Sequence, residues 1–429
     1  MKQIVIIGGG FAGINLAKNI AGKTGFHVML VDRNNYNFFP PLLYQVATAF
    51  LEPSNISYPF RKLFQKMDNI SFRTGELLEV IDSRKKVVLS TGELYYDYLV
   101  LATGAETNYF GMENVCKNAL PMKTINDALE LRNHFLQTLE QAAYVTNESE
   151  RKKLLTVVVA GGGPTGVEIS GMLAEMKQTI IPKDYPELSC HGYESHIFLV
   201  DGGQHLLAPM SEESQQDTWL ALNDMGVEIM LAKQVKDYKN DVVEFADGDS
   251  IETKTLVWAA GVSASVFEGI PKESYGRGKR LMVNGFNKVQ GMENVYAIGD
   301  TCIQTSDPRY PAGHPQIAQV AIQQGINLAK NFSCMLIHEK PNPFQYYDKG
   351  TMAVIGTKKA VVDLPKPKMH FQGSFAWLIW VFVHLMFLIT NQNRIRTLYN
   401  WAGTYFTKDQ SLRMIIRPIK KNNSNFNFY

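Results

Sequence analysis

The feature that most limits what this chain can fold into is a strand, glycine turn and helix cassette that occurs twice. Residues Gln3 to Ile7 form a short apolar, β-branched run of the kind buried on both faces of a parallel sheet. Gly8, Gly10 and Gly13 follow at once as G-x-G-x-x-G, with Phe11 and Ala12 inside the pattern, and the helix-forming run Ile14 to Ile20 comes next. In that context the turn brings backbone N–H groups and a helix N-terminus onto a pyrophosphate. A second strand, His27 to Val31, ends in Asp32, and Arg33 follows it. An acid about twenty residues beyond the glycines can accept both hydroxyls of an adenosine ribose.

The repeat begins at Thr156 to Ala160, which runs into Gly161, Gly163 and Gly166, with Pro164 and Thr165 between them, and then the helix Val167 to Met176. Its acid is Asp201, closing the strand His196 to Val200 and lying 40 residues after Gly161. Lys183 to Glu194 reads as an insertion. Gly-Gly-Gln follows Asp201, with no nearby Arg to receive a 2′-phosphate, so this site should accept NADH and repel NADPH. A single glycine cluster could be a tight turn without a ligand. Two, each with its terminal acid, call for two nucleotides: one a bound flavin, the other an exchangeable nicotinamide.

A length of 429 residues allows two or three compact units. Lys+Arg 43 against Asp+Glu 41 gives no excess charge for a polyanion, so nucleic acid is not an expected partner. Cys116, Cys190, Cys302 and Cys334 are scattered, with no C-x-x-C pair and no His spacing for a metal. No metal site and no paired-thiol redox chemistry are expected. The first strand starts at Lys2 without a signal-like leader, which gives no reason to expect export.

Two further strand ends mark the first unit: Tyr98-Leu-Val-Leu-Ala ending in Thr103-Gly104, and Asn294-Val-Tyr-Ala-Ile ending in Gly299-Asp300. Trp258-Ala-Ala260-Gly261 is a similar end in the second. These resemble the A-T-G and G-D motifs of the pyridine nucleotide-disulfide oxidoreductase superfamily, in which the Asp bonds the ribityl chain of FAD. Within it the chain resembles the type II NADH:quinone oxidoreductases nearly end to end. The specific pieces are Asp32 to Thr48 (DRNNYNFFPPLLYQVAT), Gly161 to Glu168 (GGGPTGVE) and Ala318 to Gly325 (AQVAIQQG). Many relatives carry Glu where Asp32 stands, and the shorter acid still reaches a ribose.

The resemblance implies tightly held, non-covalent FAD, NADH as substrate and a membrane quinone, menaquinone or ubiquinone, as acceptor. It implies a quinone role for Gln319 and Gln323. Four residues apart, they share one helix face, where two amides could hydrogen-bond quinone carbonyls. The alternative is a polar face bonding neighbouring backbone. Ala318 and Gln319 are also expected at the flavin, and Gly325 is expected to let the helix approach the isoalloxazine ring. Glu168, read as sitting in the first turn of the second nucleotide helix, is placed near flavin and nicotinamide. It would relay a proton or position a ring, and stabilisation by the helix end is its structural alternative.

From Phe375 to Thr390 sixteen residues are interrupted only by His384, short of the about 20 needed for a crossing. Trp377 and Trp380 are expected at the boundary between headgroup and acyl chain. Seven basic residues (Arg394, Arg396, Lys408, Arg413, Arg417, Lys420 and Lys421) then face the single acid Asp409, interleaved with Trp401, Tyr405, Phe406, Leu412, Ile415 and Ile416. Such a stretch lies in a lipid interface, covers a dimer surface, or does both.

The expected fold is therefore α/β, with two Rossmann-like dinucleotide-binding domains and a C-terminal helical membrane-binding segment. Its units are a discontinuous FAD domain (1–115 and 285–345), an NADH domain (116–284) and the C-terminal segment (346–429). The expected protein is a peripheral, homodimeric flavoenzyme on the cytoplasmic face of the inner (plasma) membrane. No array of intramembrane charges is present for pumping. Two alternatives stay open: a sulfide:quinone oxidoreductase, which needs reactive cysteines at the flavin, and a flavin- and NADH-binding sensor without turnover.

Overall fold

The computed structural model describes residues 1–190, 193–407 and 412–416. Lys408, Asp409, Arg417, Lys420 and Lys421 of the basic tail lie outside them.

Two five-stranded parallel sheets form the frame, built on one plan. In the first, the order is Val295–Ala297, Tyr98–Leu101, Lys2–Ile7, Phe26–Asp32, Ile70–Thr74. In the second it is Leu120–Pro121, Thr255–Trp258, Thr156–Ala160, His196–Val200, Val227–Met230. Each glycine-turn strand is central, and the stretch leading into the turn, Ile4 to Ile7 or Val157 to Ala160, is apolar and buried, as cover on both faces demands. The strand ending in the acid lies on one side of it, and the strand ending in Ala-Thr-Gly or Ala-Ala-Gly on the other. A three-stranded antiparallel meander precedes that second neighbour in both units: Leu77–Ile81, Lys86–Leu89 and Gly92–Tyr95, then Val235–Lys239, Val242–Phe245 and Ser250–Glu252.

The late strand Val295–Ala297 returns the chain to the first sheet and delivers Gly299 and Asp300 to its carboxyl edge. The helix Ala318–Leu336 then packs on the first nucleotide helix, Phe11–Ile20. Gly325 allows this approach, since a Cβ there would stand 2.5 Å from the Ala12 carbonyl oxygen. The glycine expected to face the isoalloxazine ring thus serves helix–helix contact.

The C-terminal part is an antiparallel sheet, Thr351–Val354, Ala360–Pro365 and Lys368–Gln372, followed by helices Gly373–Phe387 and Asn391–Thr407. Among the described residues no helix is long and apolar enough to cross a membrane. The 15 residues of Gly373–Phe387 rise about 22 Å, against a hydrocarbon core of about 30 Å. One face packs inward through Ala376 and Trp380, and Trp380 is only 1% exposed. The other leaves Phe375 60% and Phe382 66% exposed, with Leu378 and Met386 beside them. Trp380 is therefore a core residue stacked on His384, with ring centroids 4.0 Å apart, and not a boundary anchor. Asn393 ties the last helix to the first unit by donating to the carbonyls of Ser54, Asn55 and Ser57.

His370 clamps the C-terminal sheet to the helix Glu212–Asp224. Its Nδ1 lies 3.0 Å from Asp363 and its Nε2 2.8 Å from Asp217, so both nitrogens carry protons toward carboxylates. Asp363 also accepts the Ser211 backbone N–H and the Ser211 and Ser214 hydroxyls at the start of that helix. These bonds raise the His370 pKa against the opposing effect of burial, and the same set lowers that of Asp363. A raised histidine pKa stabilises the fold fully below the unfolded value, and the contribution is lost as pH climbs through the folded one. We expect the melting temperature to fall as pH rises above about 6.5, and H370Q to lower it below that pH while flattening the slope. Scanning calorimetry across that range checks this, and an unchanged slope in H370Q would refute the clamp.

Candidate active site

The two glycine turns have the same geometry. Gly8 and Gly161 sit at φ +105° and +116°, which glycine adopts without strain. A Cβ on either would collide with the carbonyl oxygen of Ala102 or Ala259 at the end of the neighbouring strand. One on Gly13 or Gly166 would collide with the carbonyl of Gly8 or Gly161, so these glycines set the close packing of helix on strand. Gly10 and Gly163 differ, because a Cβ there would meet nothing within 4 Å. They are the N-caps of Phe11–Ile20 and Pro164–Thr179, and neither helix has a side-chain cap. Open space in front of uncapped helix amides fits a pyrophosphate, and both turns provide it.

Each acid braces its own turn. Asp32 accepts the Gly9 N–H at 2.7 Å and the Asn34 N–H at 2.8 Å. Asp201 accepts the Gly162 N–H at 2.5 Å and the Gly203 N–H at 2.6 Å. A carboxylate has about four acceptor positions, so each oxygen keeps a lone pair for a ribose hydroxyl. Burial raises the Asp32 pKa against the pull of these two N–H bonds.

A single cavity of about 860 Å³ runs between the units. At the first turn it is lined by Gly8, Gly10, Phe11 and Ala12, with Asp32 and Arg33 beyond, and along the strand ends by Thr103, Gly104, Gly299, Asp300 and Ala318. Pro164, Thr165, Glu168 and Gly261 line its second-unit wall. Gly13, Gly161, Gly163, Gly166, Asp201 and Ala260 are not in the lining: the four glycines belong to the turns described above, and Asp201 bonds the Gly162 and Gly203 amides. Asp300 is buried, which raises its pKa, and Lys123 is the foremost charge opposing that shift. Lys123 also lines the cavity. Its place was not read from the sequence, since nothing local distinguishes it from a surface lysine.

Glu168 is 8% exposed, and desolvation pushes its pKa well above the carboxylate range, opposed by a backbone hydrogen bond at Val354. It is the fifth residue of a helix starting at Pro164, one turn further in than expected, and burial outweighs the helix end. Burial thus favours the protonated, neutral form of this carboxyl more than water would.

The glutamines are placed otherwise than expected. The Gln319 amide donates to the Gly350 carbonyl at 2.7 Å and accepts the Lys349 N–H at 3.1 Å. Gln323 pairs with both backbone groups of Tyr347, at 2.8 and 3.0 Å, and does not line the cavity. The helix face thus bonds neighbouring backbone, which was the alternative reading. Gln319 still borders the cavity, but its amide is occupied.

Past Glu168 the wall becomes apolar and includes Phe39, Tyr44, Met352, Val383 and Phe387, with His384 among them. Phe11 and Phe39 meet edge to face at 5.6 Å, and Phe39 and His384 at 6.0 Å, a chain of rings from the first turn to the C-terminal helix. The sequence offered one signal for His384, the lone polar residue in an apolar run. Among the described residues no cysteine lines the cavity. Cys302 is buried, with its thiol pushed up to about 12.

Two like nucleotide turns opening beside one shared cavity define a two-dinucleotide oxidoreductase. A family profile described as pyridine nucleotide-disulphide oxidoreductase matches residues 2–325, and one described as NDH2 C-terminal domain matches residues 348–408. The chain is 34% identical to the type II NADH:quinone oxidoreductase Ndh of Mycobacterium tuberculosis, over 94% of this chain and 88% of that one. It is 28% identical to the type II NADH:quinone oxidoreductase of Haemophilus influenzae, over 90% and 93%. The chain belongs to the type II NADH:quinone oxidoreductases. In fold it is similar to NDH2 of Plasmodium falciparum, solved in complex with NADH, with a TM-score of 0.87, 23% identity and coverage of 97% and 100%. It is also similar to the sulfide:quinone oxidoreductase of Aquifex aeolicus, with a TM-score of 0.71, 19% identity and coverage of 97% and 96%.

The open cradles at Gly10 and Gly163 yield separable variants. We expect G10V to lose bound flavin, seen as loss of visible absorbance. G163V should keep its colour and raise the KM for NADH by at least about tenfold, equivalent to about 1.4 kcal/mol. Equal flavin loss in both variants would contradict separate sites.

Proposed function

We infer that this protein passes two electrons from NADH through FAD to a quinone. The observation that carries the reading is the continuous cavity, which touches the first glycine turn, the second-unit residues Pro164 and Thr165, and the apolar helix Gly373–Phe387. Bound there, FAD supplies the two-electron relay between a hydride donor and a quinone. Gly8, Gly10, Phe11, Ala12 and Gly13 would hold its pyrophosphate side and Asp32 and Arg33 its ribose, with Thr103, Gly104, Gly299, Asp300 and Ala318 along the remainder. Gly161, Gly163, Pro164, Thr165, Gly166, Asp201, Ala260 and Gly261 would hold NADH. Residues 1–115 with 285–345, 116–284 and 346–429 are the corresponding units.

The overall reaction joins NADH, one proton and quinone to give NAD and quinol. Glu168, set in the cavity wall with its pKa raised by burial, donates to a quinone oxygen and shares in proton delivery. Gln319 and Gln323 shape the wall through the backbone of residues 347–350 and do not grip the ring directly.

The exposed face of Phe375, Leu378, Phe382 and Met386 rests on a lipid surface, where a long-tailed quinone is dissolved, with Arg394 and Arg396 at the headgroups. Cytoplasmic-face attachment, and a homodimer beside it, complete the proposal. A sulfide:quinone oxidoreductase reading lacks its cysteines at the cavity among the described residues.

Purified protein should be yellow, bleach on NADH and recover colour with quinone. A colourless preparation that FAD does not reconstitute refutes the reading. Quinone reduction should fall as pH rises through the elevated Glu168 value, and E168Q should lose that limb; a pH–rate profile measures it. F375E with F382E should cut liposome co-sedimentation about tenfold while soluble-quinone turnover stays, and unchanged sedimentation would refute docking by this face.

A further inference from the structure

His384 enters none of the roles above, yet among the described residues it is the one imidazole on the cavity wall. It lies on the helix Gly373–Phe387 between two faces. Val383, His384 and Phe387 line the cavity, while Phe382 and Met386 point outward and are exposed. Its Nδ1 is 2.8 Å from the Trp380 carbonyl, one helical turn back, and a carbonyl can only accept, so Nδ1 carries the hydrogen. In the neutral ring, Nε2 then presents a bare lone pair, and it has no hydrogen-bond partner among the described residues. Trp380 stacks on one ring face at 4.0 Å and Phe39 meets the ring at 81°, so it is held in orientation. Burial depresses its pKa to about 4, and the ring stays neutral at physiological pH.

An acceptor-only group discriminates between the two forms of the acceptor substrate. Quinone offers two carbonyl oxygens, which have no proton to give and face the Nε2 lone pair with repulsion. Quinol offers two hydroxyls, either of which can donate to it. An interaction absent in the reactant and gained as the product forms contributes to rate more than to substrate binding. Glu168 supplies the complementary donor elsewhere on the wall. The proton balance is unaffected, because His384 neither gains nor loses one.

We propose that His384 is the hydrogen-bond acceptor for the forming quinol hydroxyl, a residue that draws the quinone-reducing half of the reaction forward. The proposal rests on the NADH-to-quinone reading, and its test separates the two. Holoenzyme reduced with one equivalent of NADH is mixed rapidly with duroquinone, or with ferricyanide, which takes electrons without protons, and flavin reoxidation is followed. In H384L, reoxidation by duroquinone should slow about tenfold, the scale of one buried hydrogen bond, with the KM for duroquinone within about threefold of native. H384Q, whose amide oxygen can stand near the Nε2 position, should restore the rate to within about threefold. Ferricyanide rates should be unchanged in both. The proposal is overturned if H384L matches native with duroquinone, if H384Q is no faster than H384L, or if ferricyanide rates fall in step. Native holoenzyme that bleaches with NADH but is not recoloured by duroquinone would instead overturn the functional reading.

Discussion

An uncapped helix N-terminus facing open space is the constraint on which the rest of this molecule depends. The first amides of a helix must find acceptors, and where side chains do not provide them an anion can. Both nucleotide helices begin this way, at Gly10 and Gly163. The turns can afford it because Asp32 and Asp201 already tie down the Gly9 and Gly162 N–H groups, keeping the glycine backbone in place without a ligand. The acids are thus structural before they are recognition groups. Their loss would loosen the turn as well as the proposed ribose contact.

The remainder of the fold brings these two turns to one space. The first unit is completed only when residues 295–297 return as its edge strand and deliver Asp300, and only when the helix Ala318–Leu336 beds onto the first nucleotide helix at Gly325. The second unit is tied to the C-terminal sheet by His370 and, through Glu175 and Thr357, by a bond at 2.6 Å from the Thr357 N–H. Cavity walls therefore come from stretches of chain far apart in sequence. Substitutions far apart in sequence should act on the same chemistry.

Much of this was legible in the sequence, and the boundary has a physical cause. A glycine turn between an apolar strand and a helix is a local pattern, and the contacts of Gly13 with Gly8 and of Gly166 with Gly161 lie within a few positions of chain. The doubled sheet followed from it. What a helix face meets is not local. The four-residue spacing of Gln319 and Gln323 correctly put them on one face, but their partners are the irregular backbone at 347–350, which no periodicity announces. Gly325 signalled close approach without saying to what, and the answer was Ala12. Trp380 and Trp377 read alike as aromatic residues of an apolar helix, and only packing separates the one buried against His384 and Trp401.

The helix Gly373–Phe387 is one short element with two unlike faces. Its composition would be costly in water and its length insufficient for a bilayer. The 3.6-residue period divides it instead, with Trp380 and His384 turned toward protein and Phe375, Phe382 and Met386 turned away. A histidine survives in so apolar a run because one nitrogen finds the carbonyl a turn behind and the other edge faces the cavity, leaving no hydrogen donor unsatisfied. In the proposed docking, outward residues in acyl chains place the inward ones at the cavity wall. A quinone leaving the lipid beside Phe382 would then meet His384 within the width of a single helix. In that proposal the polar residue that interrupts the apolar run would mark where the membrane phase ends and the chemistry begins.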